Sequence, residues 1–263
     1  MPIETHKVTS LSNYLALIQR LKHANVESGN KAQFIFRGQN LDRPLIPRIA
    51  RLRAKGKLLR IEKLMMADFG RQILPFSEFQ PENEWDLLAL AQHHGLPTRL
   101  LDWTYSALTA LWFSTRPSRV GQPEKRGHIG VVWVWKTITS DFLPVPPENG
   151  PYVGLTRIFR PRIVSRRILA QTGVFTCHKP LSGEKLTISG GKFVPLEENT
   201  SYSDRLHKIV IPSRLWPQFR EQLEISGVHH LSMFPDLDGL SRHLEGSYFH
   251  DAPVPIDEID GEH

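Results

Sequence analysis

Strand-type runs in this chain come at uneven intervals, and that spacing limits the fold more than any other feature. Short runs rich in β-branched and aromatic residues fall at residues 34–37, 129–135, 168–176, 206–211 and 228–234, bounded by Gly, Pro or polar residues. Segments of helical period lie at Ser10 to about Ala24, Leu58 to Leu74, Trp85 to Gln92, Thr104 to Ser114 and Arg214 to Ser226, and a last one carries Leu237, Leu240 and Leu244. Regular alternation of strand and helix would predict a doubly wound parallel sheet. The irregular order predicts instead one α+β domain with a mixed central sheet flanked by helices. A chain of 263 residues is long enough to close a full core. The expected layout is an N-terminal helix packed on the core within residues 1–29, the α+β domain over 30–249, and an acidic tail over 250–263 expected to be disordered. Residues 137–156 read as a long surface loop able to act as a lid, and Gly183 to Gly191 as a polar hairpin or loop.

Composition excludes several classes. A single cysteine, Cys177, rules out an intramolecular disulfide framework and any cysteine metal cluster. No apolar run approaches the roughly 20 residues a membrane span needs. The opening residues MPIETHKVTS lack the apolar core of a signal peptide. The expectation is a cytoplasmic protein with no membrane partner. The net charge is +6, yet the last 13 residues hold five acidic groups and no Lys or Arg, which leaves +11 on the rest. A basic body suggests an anionic partner such as a nucleic acid or a nucleotide. The acidic tail could fold back over it as a weak self-inhibitor.

Chemistry-bearing residues concentrate in four places. Gln92 to Thr104 holds His93, His94, Thr98, Arg99 and Asp102 between two helices. Gly95 suits a helix C′ position, Pro97 keeps Leu96 extended, and Thr104 suits the next N-cap. Phe36-Arg37-Gly38-Gln39 closes a strand with an arginine, a costly arrangement without an anionic partner. That partner is either a ligand or an internal carboxylate such as Asp102 or Asp236. Arg157, Arg160, Arg162, Arg166 and Arg167 fall within eleven positions and read as a phosphate or nucleic-acid site, or as a solvated charged face. Asp236 and Asp238 sit where a helix N-cap belongs.

Four segments in order resemble the FRG domain. They are Phe36-Arg37-Gly38, then Gln92-His93-x-Gly-x-Pro-Thr98-Arg99-Leu100-Leu101-Asp102-Trp103-Thr104, then Arg167-Ile168-x-x-Gln171-x-Gly173-x-Phe175, then Phe234 to Leu240. The resemblance spans about residues 30 to 245. The order of elements is also similar to ADP-ribosyltransferases of the arginine–serine–glutamate class. There an Arg ending the first core strand holds NAD, and Arg37-Gly38 matches it. Thr98 to Asp102 leading into Ala107 to Ser114 resembles the next strand and helix. Where that class carries its catalytic Glu, this chain has Gln171-Thr172-Gly173, so the acid would come from Asp236, Asp102 or Glu224. The resemblance implies an ADP-ribosyltransferase-like fold with NAD as co-substrate and no metal. Arg37, Thr98, Asp102, Gln171 and Asp236 would be catalytic. Phe36, Arg37, Gly38, Gln39, His94 and Arg99 would contact NAD. It further implies an intracellular toxin or phage-defence effector that modifies nucleic acid or protein, held in check by an antitoxin or inhibitory protein.

Two rivals stay open. A nuclease or hydrolase would use His93, His94 and Asp102. Adjacent helical histidines diverge by about 100°, however, so they do not share a metal, and no nucleophile elbow is present. A non-catalytic nucleotide- or nucleic-acid-binding module needs the arginines alone. Convergence of Arg37, Thr98, Asp102 and Asp236 on one pocket discriminates between them.

Overall fold

The computed structural model describes residues 3–26, 33–77, 79–116, 128–144, 150–152, 156–162, 170–181 and 193–249. Seven strands form one mixed sheet: β1 (Glu4–Lys7), β2 (Gln33–Gln39), β3 (Leu100–Thr104), β4 (Ile129–Thr137), β5 (Arg157–Phe159), β6 (Gly173–Cys177) and β7 (Leu206–Pro212). Their spatial order is β1-β7-β4-β2-β3-β6-β5. Only β1 and β7 run parallel; the other ladders are antiparallel. The helices are α1 (Leu11–Val26), α2 (Leu58–Gln72), α3 (Glu84–His93), α4 (Ala107–Ser114), α5 (Trp216–Ile225), α6 (His230–Met233) and α7 (Leu237–Tyr248). No helix among the described residues is long and apolar enough to cross a membrane.

Alternation along the strands sorts the core into layers. Phe34, Phe36, Val132, Val134, Ile209 and Ile211 face Tyr14, Leu111, Trp216 and Phe219 of α1, α4 and α5. On the same face of the other half-sheet, Leu100, Phe159 and Phe175 pack on Met66 of α2 and on Leu88 and Ala89 of α3. The opposite face, with Ile35, Leu101, Trp103, Trp133 and Trp135, is covered by Leu45, Leu196 and Tyr202 from irregular segments.

Two glycines let α4 lie close on the sheet. A Cβ at Gly38 would strike the Ala110 carbonyl, and one at Gly130 the Ser114 carbonyl. Gly38 is therefore required by packing, whatever it does for a ligand.

Several expectations need correction. The 228–234 run is not a strand: His229 and Ser232 cap one another reciprocally and start the short helix α6. Of the 168–176 run, the described strand starts only at Gly173, because Ala170 is helical and Gln171 and Thr172 turn. The Gln92–Thr104 connector contains a full strand, β3, and Arg157–Phe159 is the edge strand β5. The N-terminal helix α1 packs on the core through Tyr14, Leu17 and Ile18, but residues 4–7 before it also add an unexpected strand, β1, to the sheet. Ser106, not Thr104, caps α4; the Thr104 hydroxyl accepts from the Ser106 N–H just before it. The Gly183–Gly191 hairpin and the acidic tail lie outside the described residues.

Candidate functional site

The sheet is nearly divided. β2 is paired with β4 along its whole length, and β3 with β6, but β2 and β3 share only the Phe36–Thr104 register pair. Past that pair the two strands splay. A cavity of about 1000 Å³ opens in the split, lined among others by Phe36, Arg37, Gly38, Gln92, His93, His94, Asp102, Phe113, Gln171, Asp236 and Asp238. It lies on the helix-covered face, between α4, the C-terminal end of α3 and the start of α7.

Arg37 bridges the split. Its Nη1 donates to the Asp102 backbone carbonyl at 2.7 Å and lies 3.7 Å from the Asp102 carboxylate. Its side chain is 16% exposed, against 57% for that of Asp102. The buried Nε–H of Arg37 has no acceptor among the described residues. Burial pulls the guanidinium's pKa down, the Asp102 charge opposes that, and the nearby Arg51 charge reinforces it. Arg51 in turn is pushed down by its own partial burial and by Arg43 and Arg48. A concentration of positive charge beside one carboxylate and an unsatisfied donor favours an anionic ligand.

Asp102 is held from behind. The Gln92 amide donates to both of its oxygens at 3.1 Å, and the Thr98 hydroxyl donates to the Gln92 carbonyl at 2.6 Å while accepting from the Leu100 N–H. Thr98 is fully buried and does not line the cavity. Its role is to fix Gln92, which in turn aims Asp102.

Gln171 and Asp236 both reach the cavity, and each has structural work as well. The Gln171 amide donates to the Met233 carbonyl at 3.0 Å, tying the α6 segment to the sheet. The Asp236 carboxylate caps α7 through the Gly239 N–H at 2.8 Å. Between Gln171 and Gly173, Thr172 has φ of 46°, a left-handed conformation unfavourable for a β-branched residue. The Thr104 hydroxyl bonds to the Gln171 carbonyl and holds this strained turn against the end of β3.

Other expected site residues lie elsewhere. Arg99 is not at the cavity: it forms a sealed pair with Glu62 of α2, with Nε···Oε1 at 2.8 Å, and Nη1 donates to the Pro151 carbonyl. Burial opposes its charge, but the hydrogen bonds and charge of Glu62 outweigh burial and raise its pKa. Gln39, whose Oε1 is buried without a partner among the described residues, is not among the lining residues, and Glu224 is exposed on α5, also away from the cavity. The three described arginines of the basic stretch are each engaged by protein groups. Arg162 pairs with Glu82 and Asp86, Arg160 stacks on Phe142 and donates to Gln33, and Arg157 donates to Tyr202. Their counter-charges and acceptors come from the protein itself. Arg166 and Arg167 lie outside the described residues.

Some lining residues were not expected at the site. Thr109 and Phe113 gave no signal by themselves, Gln92 was marked only as the head of the central stretch, and Asp238 only as a helix-cap candidate. Arg48 and Arg51 belong to a Pro- and Arg-rich segment without periodicity, and only the fold brings Arg51 near Arg37 and Arg48 to the Gly95 carbonyl at the cavity.

No curated protein and no solved structure matches the chain. The family model described as the FRG domain matches residues 32–122, a span that includes Arg37, Gln92, Asp102 and the whole of α4. The split in the sheet, its arginine and the glycine beneath α4 all fall within that match, so this part of the chain is similar to the FRG domain.

Proposed function

We propose that this protein is an NAD-dependent ADP-ribosyltransferase acting inside the cell as a toxin or defence effector. The observation that carries the reading is the convergence of Arg37, Asp102 and Asp236 on one large cavity at the split in the sheet. A module that only bound nucleic acid would have no use for a cavity-lining carboxylate aimed by two further side chains.

Transfer of ADP-ribose asks little covalent chemistry of a protein. The bond between nicotinamide and the ribose C1′ breaks, and neutral nicotinamide leaves with the electron pair. The acceptor's nucleophile then bonds to C1′, and its proton passes to a base. What speeds this is charge placed where the oxocarbenium-like ribose develops, together with a fixed pose for the dinucleotide. Arg37, backed by the field of Arg51, supplies the counter-charge for the pyrophosphate. Asp102, kept in place by Gln92 and Thr98, faces the developing cation and takes the acceptor's proton. Asp236 is committed to its helix cap, and of the lining carboxylates Asp102 is the one beside Arg37, so it is the carboxylate of the reaction. Phe36, Phe113 and Phe175 offer apolar surface to the flat rings.

Purified protein is incubated with labelled NAD and cell extract, beside an Arg37→Ala variant. Label in RNA, DNA and protein is then separated by nuclease and protease digestion. Label that enters one fraction and vanishes in the variant establishes the transfer and names the acceptor class. Folded native protein that neither transfers label nor releases nicotinamide, with or without extract, overturns the reading.

A further inference from the structure

We propose that Glu4, His6 and His207 form a binding site for a divalent transition-metal ion, Zn²⁺ by preference, which ties the N-terminal strand to the sheet. The site is far from the cavity in the fold and independent of the reading given above.

The register of the parallel β1–β7 ladder sets Glu4 opposite His207 and His6 opposite Ile209. Side chains repeat every second residue on a strand, so Glu4, His6 and His207 share one face. That face continues into the core through Val8 and Ile209. The three groups meet there: His6 Nε2 is 3.5 Å and His207 Nδ1 is 3.2 Å from the two oxygens of Glu4. One ligand atom from each lies within 4.8 Å of the other two. The same two ring nitrogens are buried, and beyond Glu4 they find no polar partner among the described residues. The imidazoles stand 5.8 Å apart, centroid to centroid.

Two imidazoles with one carboxylate are a zinc-type donor set, whereas Mg²⁺ and Ca²⁺ take oxygen ligands. Bonds of about 2.0–2.1 Å place tetrahedral ligand atoms roughly 3.3 Å apart, so the present cluster needs only a small contraction. The exposed, flexible Glu4 side chain can supply most of it. A bound ion would fasten a four-residue edge strand to a strand some 200 positions along the chain. The sequence concealed this site because Glu4 and His6 are adjacent to nothing else of ligand type, and His207 joins them only through the ladder.

The test uses the full chain, stripped by chelator and titrated with Co²⁺, with Zn²⁺ as competitor. One equivalent of Co²⁺ with the intense visible bands of four-coordination, displaced by Zn²⁺ and not by Mg²⁺, is the expected result. His6→Ala and His207→Ala should each weaken binding by about 100-fold or more, and Glu4→Gln by about 10-fold or more, since losing even an outer-shell partner of a ligand costs about 10–100-fold. Circular dichroism checks that each variant is folded, and Glu4→Gln alters an exposed side chain that folding does not require. His23→Ala, on the exposed face of α1, should bind as the native chain does. Native protein that binds no ion, or a His6→Ala/His207→Ala double variant that binds as tightly as the native chain, overturns the proposal and leaves a His–Glu ion pair.

Discussion

Two arginine–carboxylate pairs stand on the two sides of β3 and differ in almost everything except their chemistry. Arg99 and Glu62 are sealed, with side-chain exposures of 4% and 0%, and every contact is two-pronged or backed by the Pro151 carbonyl. Arg37 and Asp102 meet at 3.7 Å across an open cavity, with an Nε–H left over. The sealed pair gains from protein partners what it lost in leaving water; the open one keeps unspent donors and a carboxylate in reach of solvent. One holds α2 to the sheet, the other is free to meet a ligand.

The contrast can be broken by removing one partner of each. Glu62→Ala strands a buried guanidinium and should lower stability by about 3–5 kcal/mol, read from the denaturation midpoint at fixed m. Arg37→Ala should cost NAD turnover about 100-fold or more, on the scale of removing one oriented electrostatic donor, with little change in melting temperature. A stability loss at Arg37 equal to that at Glu62 would erase the distinction. Gly38→Ala tests the floor of the cavity: a methyl group there meets the Ala110 carbonyl, and about 1–3 kcal/mol of stability should go as α4 lifts.

His178 sharpens the comparison by sitting between the two pairs. Its N–H bonds to the Arg99 carbonyl, its ring bonds to Thr176, and burial, with the Arg37 charge added, pulls its pKa down to about 3. Below pH 6.5 the unfolded chain takes up a proton that the folded chain refuses until about pH 3, so this residue's contribution falls steadily as pH falls across that window. The slope is about 1.4 kcal/mol per pH unit for one proton. Urea titrations at several pH values should show a His178→Phe variant losing less stability on acidification than the native chain. The smallest effect is expected at Thr98→Val, about 1 kcal/mol for the lost hydrogen bonds, with turnover reduced through a loosened Gln92. Unchanged turnover there would detach Thr98 from the site.

How much of this was legible in the sequence depends on the range of the interaction. Helices α2, α3 and α5 follow from local period, and the Asp236 cap and positive φ at Gly95 and Gly227 from local chemistry. Strands β1 and β5 are short edge elements defined by their neighbours, so no local pattern marks them. The Val228–Phe234 run misled because apolar content is the same for a buried strand and a buried helical turn, and a two-residue capping exchange decided between them. At the site, Arg37, Asp102 and Asp236 were recognisable as residues needing partners, and Asp102 for Arg37 and a helix cap for Asp236 were among the expected ones. The partner of Arg99 was not legible, since Arg37 and Arg99 both adjoin strand-like apolar residues, and only tertiary packing assigns Glu62 to one and the cavity to the other. The arginines of 157–162 show the same limit, because their carboxylates and acceptors come from distant segments.

The shorter contact of Arg37 to residue 102 is with the main chain, not the carboxylate. A peptide carbonyl is present whatever side chain occupies that position. Substitution at 102 can therefore change the chemistry offered to a ligand while the arm that greets its negative charge stays aimed. Recognition and reaction are written in separable parts of one residue, so a lineage can lose or replace the second without surrendering the first.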